Sequence, residues 1–169
     1  MRTPASMSFA GGMRTFTGTA SARIGADPDD VFALITDIGL LPTWNAAIES
    51  VAELPDDLTP GAQWVVVMHP PRLPRWRSRS TVVEIDPAAR RFVHRTFNDD
   101  GNPTYLIWTW EVVPAGRGAE VRVRWDAHLL TPIRRFLAGR VRRPQLTREV
   151  PMSLGALRNR LTTTTRSTH

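Results

Sequence analysis

The sequence predicts an α+β fold in which a curved antiparallel sheet of about seven strands wraps around a long C-terminal helix. Three observations predict it. Two short helical stretches stand between the first strand and the second. Six strand-like stretches then follow one another, separated only by turn residues. The last folded stretch carries apolar residues at helical spacing. With one sheet and one long helix available, the helix must cover the concave face, because nothing else can bury it.

The elements follow in order. Phe16 to Ile24 alternates Phe16, Gly18, Ala20, Ala22 and Ile24 against Thr17, Thr19, Ser21 and Arg23, the pattern of a half-buried strand. Asp27 is placed to cap a helix, Pro28 suits its first position, and Asp29 and Asp30 complement the positive end of its dipole. Val31, Phe32, Leu34 and Ile35 supply the apolar face. Asp37 to Ala47, interrupted by Gly39 and Pro42, reads as a second short helix carrying Trp44. Strands are then expected at Ile48 to Leu54, Ala62 to Met68, Trp76 to Ile85, Arg91 to Phe97, Thr104 to Val113 and Ala119 to Leu130. Between the later ones lie Asp86-Pro87-Ala88-Ala89, Asn98 to Pro103, and a turn over Pro114 to Gly118. In the last strand Val121, Val123, Trp125, Ala127 and Leu129 share one face.

Pro132 to Leu161 reads as helix. Ile133, Phe136, Leu137 and Val141 form one stripe, and Val150, Leu154, Leu157 and Leu161 another. At ~100° per residue the stripes differ by roughly a quarter turn. Two segments broken near Pro144 and Pro151 are therefore expected. Residues 1–14 read as a flexible tail, 15–161 as one domain and 162–169 as a polar, flexible tail.

Composition narrows the function. The chain has 169 residues, 41% apolar and 22% charged, which suits a single globular domain. It has no cysteine, so disulfides, thiolate catalysis and cysteine-based zinc sites are excluded. Apolar runs are too short for a membrane-spanning helix, and Met1 to Met13 lacks the apolar stretch of a secretory signal, so a cytoplasmic location is expected. The formal net charge is +6, and every one of the 22 basic residues is arginine. The helix arginines are scattered rather than aligned, which argues against a nucleic-acid footprint and for a solvated surface. Stable membrane insertion is not expected either. His69, His94, His128 and His169 fall on separate elements, so no metal site is expected. There is no Gly-x-Ser-x-Gly elbow and no phosphate-binding glycine loop, and no catalytic constellation is nominated.

The residues that carry a resemblance are Ala26-Asp27-Pro28-Asp29-Asp30-Val31-Phe32, Thr36-Asp37, and Leu41-Pro42-Thr43-Trp44. Pro60-Gly61-Ala62-Gln63-Trp64 and Val83-Glu84-Ile85-Asp86-Pro87 complete the set. From Thr15 to Leu161 the chain resembles the START-like (SRPBCC) superfamily, in its polyketide cyclase/dehydrase and lipid-transport branch. The resemblance implies the helix-grip fold, a hydrophobic cavity between sheet and long helix, and no cofactor. Pro144 and Pro151 depart from the uninterrupted helix of that family.

Candidate ligand-contacting residues follow from strand faces. Six tryptophans invite two readings, core packing or an aromatic wall for a ligand. Trp44, Trp64, Trp108 and Trp110, with Val66 and Met68, are assigned to the concave side, because Glu111 is easier to place outside. His94 is either a half-exposed strand histidine or a proton donor and acceptor in the pocket. Arg140 lies in an apolar arc with Leu137 and Val141, where it either snorkels to solvent or pairs with a ligand anion. The function expected is binding of a hydrophobic small molecule such as a lipid, a polyketide or another aromatic metabolite, by a monomer or homodimer. The alternative is a polyketide cyclase or aromatase acting on a bound poly-keto chain, with His94, Tyr105 or Arg140 assisting.

Overall fold

The computed structural model describes residues 14–131 and 143–166. The first strand, β1 (Arg14–Ile24), is followed by helix α1 (Pro28–Thr36) and a 3-10 helix over Ile38–Thr43. Strands β2 (Ile48–Glu53), β3 (Gln63–Met68), β4 (Trp76–Asp86), β5 (Arg91–Asn98), β6 (Tyr105–Ala115) and β7 (Gly118–Leu129) come next, then helix α2 (Arg143–Arg166). The strands form one antiparallel sheet in the order β1-β7-β6-β5-β4-β3-β2, a meander from β2 to β7 closed by β1 against β7. This is the helix-grip arrangement.

Local chemistry explains the small elements. The Asp27 carboxylate accepts from the Asp29 amide at 2.8 Å and caps α1, with proline at the start of the helix. The second helical stretch is tighter and shorter than the expected Asp37 to Ala47 helix. Pro42 has no N–H to continue an α-helical ladder, and the chain settles into 3-10 geometry over Ile38–Thr43. Ile38, Leu41 and Trp44 are buried nonetheless.

The register sorts every strand into two faces. β1 and β7 pair without interruption from Arg14↔Leu129 to Ile24↔Ala119. On the concave side, one row across the sheet runs Trp64, Ser80, Thr96, Leu106, Ala127 and Phe16; the next runs Val82, His94, Trp108, Trp125 and Gly18. Gly18 belongs there for a steric reason. A Cβ at that position would lie 2.2 Å from the Trp125 indole, which occupies the space. In β4 the register shifts between Val82 and Glu84, so Val83 and Glu84 both face outward while Ile85 returns inward opposite Phe92.

The convex face carries the charge. Arg79 pairs with Asp99 and Glu53, Arg91 with Glu84 and Glu111, Arg122 with Glu120, and Arg124 with Asp126. Such exposed pairs contribute little stability each, but they answer part of the arginine excess with carboxylates on the same surface.

Three expectations change. Pro114 lies within β6, opposite Ala119, and not in the turn. The turn is only Gly116-Arg117, closed by Ala115 opposite Gly118, and Gly116 supplies the positive φ of 62° that a two-residue hairpin needs. The second change is at Pro151, where α2 continues without a break. Leu146, Val150, Leu154 and Leu157 give α2 one continuous buried face, and burying each is worth about 1.5–3 kcal/mol. That face outweighs the single intrahelical hydrogen bond Pro151 gives up. Pro144 sits in the first turn, where proline is tolerated. Third, α2 continues past Leu161 through Arg166, into the stretch that reads as polar tail. The stripe of Ile133, Phe136, Leu137 and Val141 lies outside the described residues, as do residues 1–13 and 167–169.

Candidate functional site

Between the concave face and α2 lies a cavity of about 100 Å³. Three layers line it. The α1 to β2 region contributes Ile35, Ile38, Leu41 and Trp44; the sheet contributes residues from β3 to β6; α2 contributes Leu146, Glu149, Val150 and Ser153.

All seven described candidates reach this one space. Trp44, Trp64, Val66, Met68, His94, Trp108 and Trp110 line the cavity together. Leu137, Arg140 and Val141 lie outside the described residues. The aromatic rings are in mutual contact: Trp44 meets Trp110 edge-on at 5.8 Å, Trp108 stacks on Trp110 at 6.4 Å, and Trp64 stacks on Phe92 at 6.2 Å. The two readings of the tryptophans therefore merge, since the same rings are core on one side and cavity wall on the other.

His94 sits at the centre of this wall, 5.1 Å from Phe92, 5.2 Å from Trp64 and 6.4 Å from Trp108, ring centre to ring centre. It lines the cavity, and loss of hydration pushes its pKa down to about 3. It is neutral at physiological pH.

Its hydrogen bonds fix the tautomer. Trp110 Nε1–H is a donor only and points to His94 Nε2 at 3.3 Å. Nε2 must then be the bare nitrogen, so the proton sits on Nδ1 and is donated to Thr96 Oγ1 at 3.2 Å. Thr96 and Ser80 hydroxyls are 2.8 Å apart. Ser78, one pleat along, is committed to the Phe97 carbonyl at 3.3 Å. Trp44 Nε1 is buried with no hydrogen-bond partner among the described residues. Ser153 of α2 accepts from the Ala46 amide at 3.3 Å and ties the helix to the segment carrying Trp44.

Sequence reasoning missed Ser78, Ser80 and Thr96, because small hydroxyl residues on a strand read as an outward face. The signal was present in alternation: Ser78, Ser80 and Val82 share a face, and Val82 alone was obviously interior. Leu146 was missed too, although it stands four residues before Val150 on the same helical stripe. Tyr105, a candidate acid–base group, is on the other face of β6, stacked on His128 at 4.5 Å and covered by the Arg95 guanidinium.

No group of three or more histidine, aspartate or glutamate side chains among the described residues is arranged to hold a metal ion. Nor is any helix among them long and apolar enough to cross a membrane.

Comparison with known proteins agrees with this architecture. Residues 15–162 match the family model described as polyketide cyclase / dehydrase and lipid transport. Among curated proteins none matches the sequence significantly. Among solved structures, the protein TTHA0849 from Thermus thermophilus is 21% identical with a TM-score of 0.68, over 88% of this chain and 98% of that one. A point mutant of norcoclaurine synthase from Thalictrum flavum gives 15% identity and a TM-score of 0.68, over 91% of this chain and 98% of that one. The di-domain aromatase/cyclase StfQ of the steffimycin biosynthetic pathway gives 13% and 0.69, over 89% of this chain and 52% of the other. At these identities the likeness is one of fold.

Proposed function

The chain belongs to the polyketide cyclase/dehydrase and lipid-transport family, and from that premise we propose that it binds a hydrophobic small molecule between the sheet and α2. The observation that supports this reading most is the continuous aromatic wall of Trp44, Trp64, Trp108 and Trp110 around an interior space. Size favours an aromatic metabolite over a long acyl chain. Drug-sized pockets run to about 300–1,000 Å³, while an apolar cavity of about 150 Å³ accommodates benzene. At about 100 Å³ the space suits a ligand of about one ring. In this reading the protein acts as a monomer or homodimer in the cytoplasm, without a cofactor.

The test is native mass spectrometry of freshly purified protein, with titration by the one-ring probe phenol read through tryptophan emission. A copurifying small molecule or saturable quenching is expected. If nothing copurifies and quenching is linear with probe, the reading fails.

The alternative, a cyclase or aromatase folding a bound poly-keto chain, draws on the family description and on the fold shared with an aromatase/cyclase. Two features weigh against an acid–base role for the residues nominated for it. His94, with a pKa of about 3, is a poor base at neutral pH, and Tyr105 stacks on the far side of the sheet. Catalysis here would rest on holding the chain in one conformation.

A further inference from the structure

Charge is unevenly placed along this chain. Residues 1–131 carry 13 arginines against 15 acidic residues, a formal charge of −2. Residues 132–169 carry 9 arginines against Glu149 alone, a formal charge of +8. The whole excess of +6 therefore belongs to the C-terminal stretch. Such asymmetry points to an anionic partner more directly than overall basicity does.

The arginines of the two regions also sit differently. On the convex face of the sheet Arg79, Arg91, Arg122 and Arg124 each lie against a carboxylate. On α2, Arg148 and Arg158 are exposed, and neither pairs with a carboxylate among the described residues. Glu149, the helix's one acidic residue, lines the cavity instead. At ~100° per residue, the exposed side chains of Arg148, Pro151, Met152, Arg158 and Thr162 fall within one arc of about 120°, turned away from the buried leucine stripe. That arc contains no acidic side chain, and Met152 within it is 58% exposed.

This composition favours a lipid surface over nucleic acid. Arg148 and Arg158 stand about 15 Å apart along the helix axis, with a thioether between them. Nucleic acid calls for a continuous basic footprint, which that spacing does not supply. An anionic bilayer needs no register. Its diffuse potential draws basic side chains, and an apolar one settles at the headgroup boundary.

We propose that the outer face of α2 docks the protein on an anionic lipid bilayer, with Arg148 and Arg158 at the headgroups and Met152 at the boundary. The inward face of the same helix walls the cavity through Leu146, Val150 and Ser153. Docking therefore brings the cavity wall to the bilayer. The docking surface rests on charge and exposure, and not on what the cavity holds.

Cosedimentation of the full-length protein with phosphatidylcholine vesicles, with and without phosphatidylglycerol and at low and high salt, tests it. Binding to the anionic vesicles is expected to be at least about tenfold tighter than to the neutral ones, and to fade as salt rises. Arg148→Gln combined with Arg158→Gln should weaken it about twenty- to thirtyfold, at about fivefold per arginine. Arg122→Gln combined with Arg124→Gln removes the same charge from the sheet and should stay within about threefold. Met152→Gln should weaken binding about two- to threefold. Equal binding to neutral and anionic vesicles, or to neither, overturns the proposal. An equal loss in the two double variants also overturns it, by making net charge and not α2 the cause. Tighter binding to duplex DNA than to anionic vesicles at the same salt overturns it in favour of a nucleic-acid surface. The vesicle comparison with the unmodified protein decides the matter even where a variant fails to fold, and none of these outcomes bears on the small-molecule reading.

Discussion

Trp110 donates its indole N–H to Nε2 of His94 at 3.3 Å, on the concave face of the sheet and between two adjacent strands. The contact ties an interior imidazole to a partner that can never accept. A proton arriving at Nε2 would set two donors against each other inside an aromatic shell. Neutrality at His94 is therefore a condition of the packing and not an incidental consequence of burial.

Acid sensitivity follows. The folded pKa of His94 lies at about 3, below its unfolded value of 6.5. Between those values the unfolded chain binds a proton that the folded chain refuses, so stability rises with pH and falls as pH drops below 6.5. The loss is about 1.4 kcal/mol per pH unit. Arg75 holds the Glu49 carboxyl low and Arg124 holds Asp126 low, and their contributions are lost only under stronger acid. Urea unfolding from pH 7 to pH 5 should show a slope that rises to about one proton near pH 5 in the native sequence, and His94→Gln should remove that contribution. An unchanged slope in that variant would place the acid-sensitive group elsewhere.

The cavity wall on the helix side gives a second prediction. Leu146 is 1% exposed and borders the cavity, so Leu146→Ala should cost about 2–5 kcal/mol in urea unfolding. The volume removed joins the existing space. The variant should bind the two-ring probe 2-naphthol more tightly than the parent does, even though it is less stable. Loss of stability with no gain in binding would show that the wall collapses into the gap.

The fold was legible because each signal was local and repeated. Alternation in β7, turn chemistry between strands, and the Asp27-Pro28 helix start all act within a few residues, and their order leaves one architecture. The tryptophan face of β6 was legible for the same reason, since Glu111 alternates with Trp110. The polar part of the site was not. That Thr96 meets Ser80, and that His94 meets Trp110, depends on register between strands separated by sixteen residues of sequence. The Pro151 position misled because a helical proline is judged by its local cost, while Leu146, Val150, Leu154 and Leu157 hold the helix against the sheet from outside that window.

Close packing at β1 makes a third prediction. A methyl group at Gly18 would lie 2.2 Å from carbons of the Trp125 indole, and Trp125 is itself buried at 4% exposure. Gly18→Ala should cost about 1–3 kcal/mol, the range for overpacking. The penalty should shrink when Trp125→Leu opens space beneath it, and a double-mutant cycle in urea reads that coupling. Additive effects would mean that the two residues do not compete for the same volume.

The last prediction concerns Pro151, exposed within a helix that does not break there. Proline in a helix interior is about 3 kcal/mol worse than alanine, through its missing N–H and its clash with the preceding turn. If the buried stripe alone keeps α2 continuous, Pro151→Ala should restore one backbone hydrogen bond and raise stability by about 1–3 kcal/mol. Ligand affinity should stay within about twofold, because Pro151 does not border the cavity while its neighbours Val150 and Ser153 do. Thermal unfolding with and without phenol separates the two effects. A lower melting temperature would mean that the curvature proline imposes is what seats Leu146 and Leu154 against the sheet, and the helix would then owe its fit to the residue that strains it.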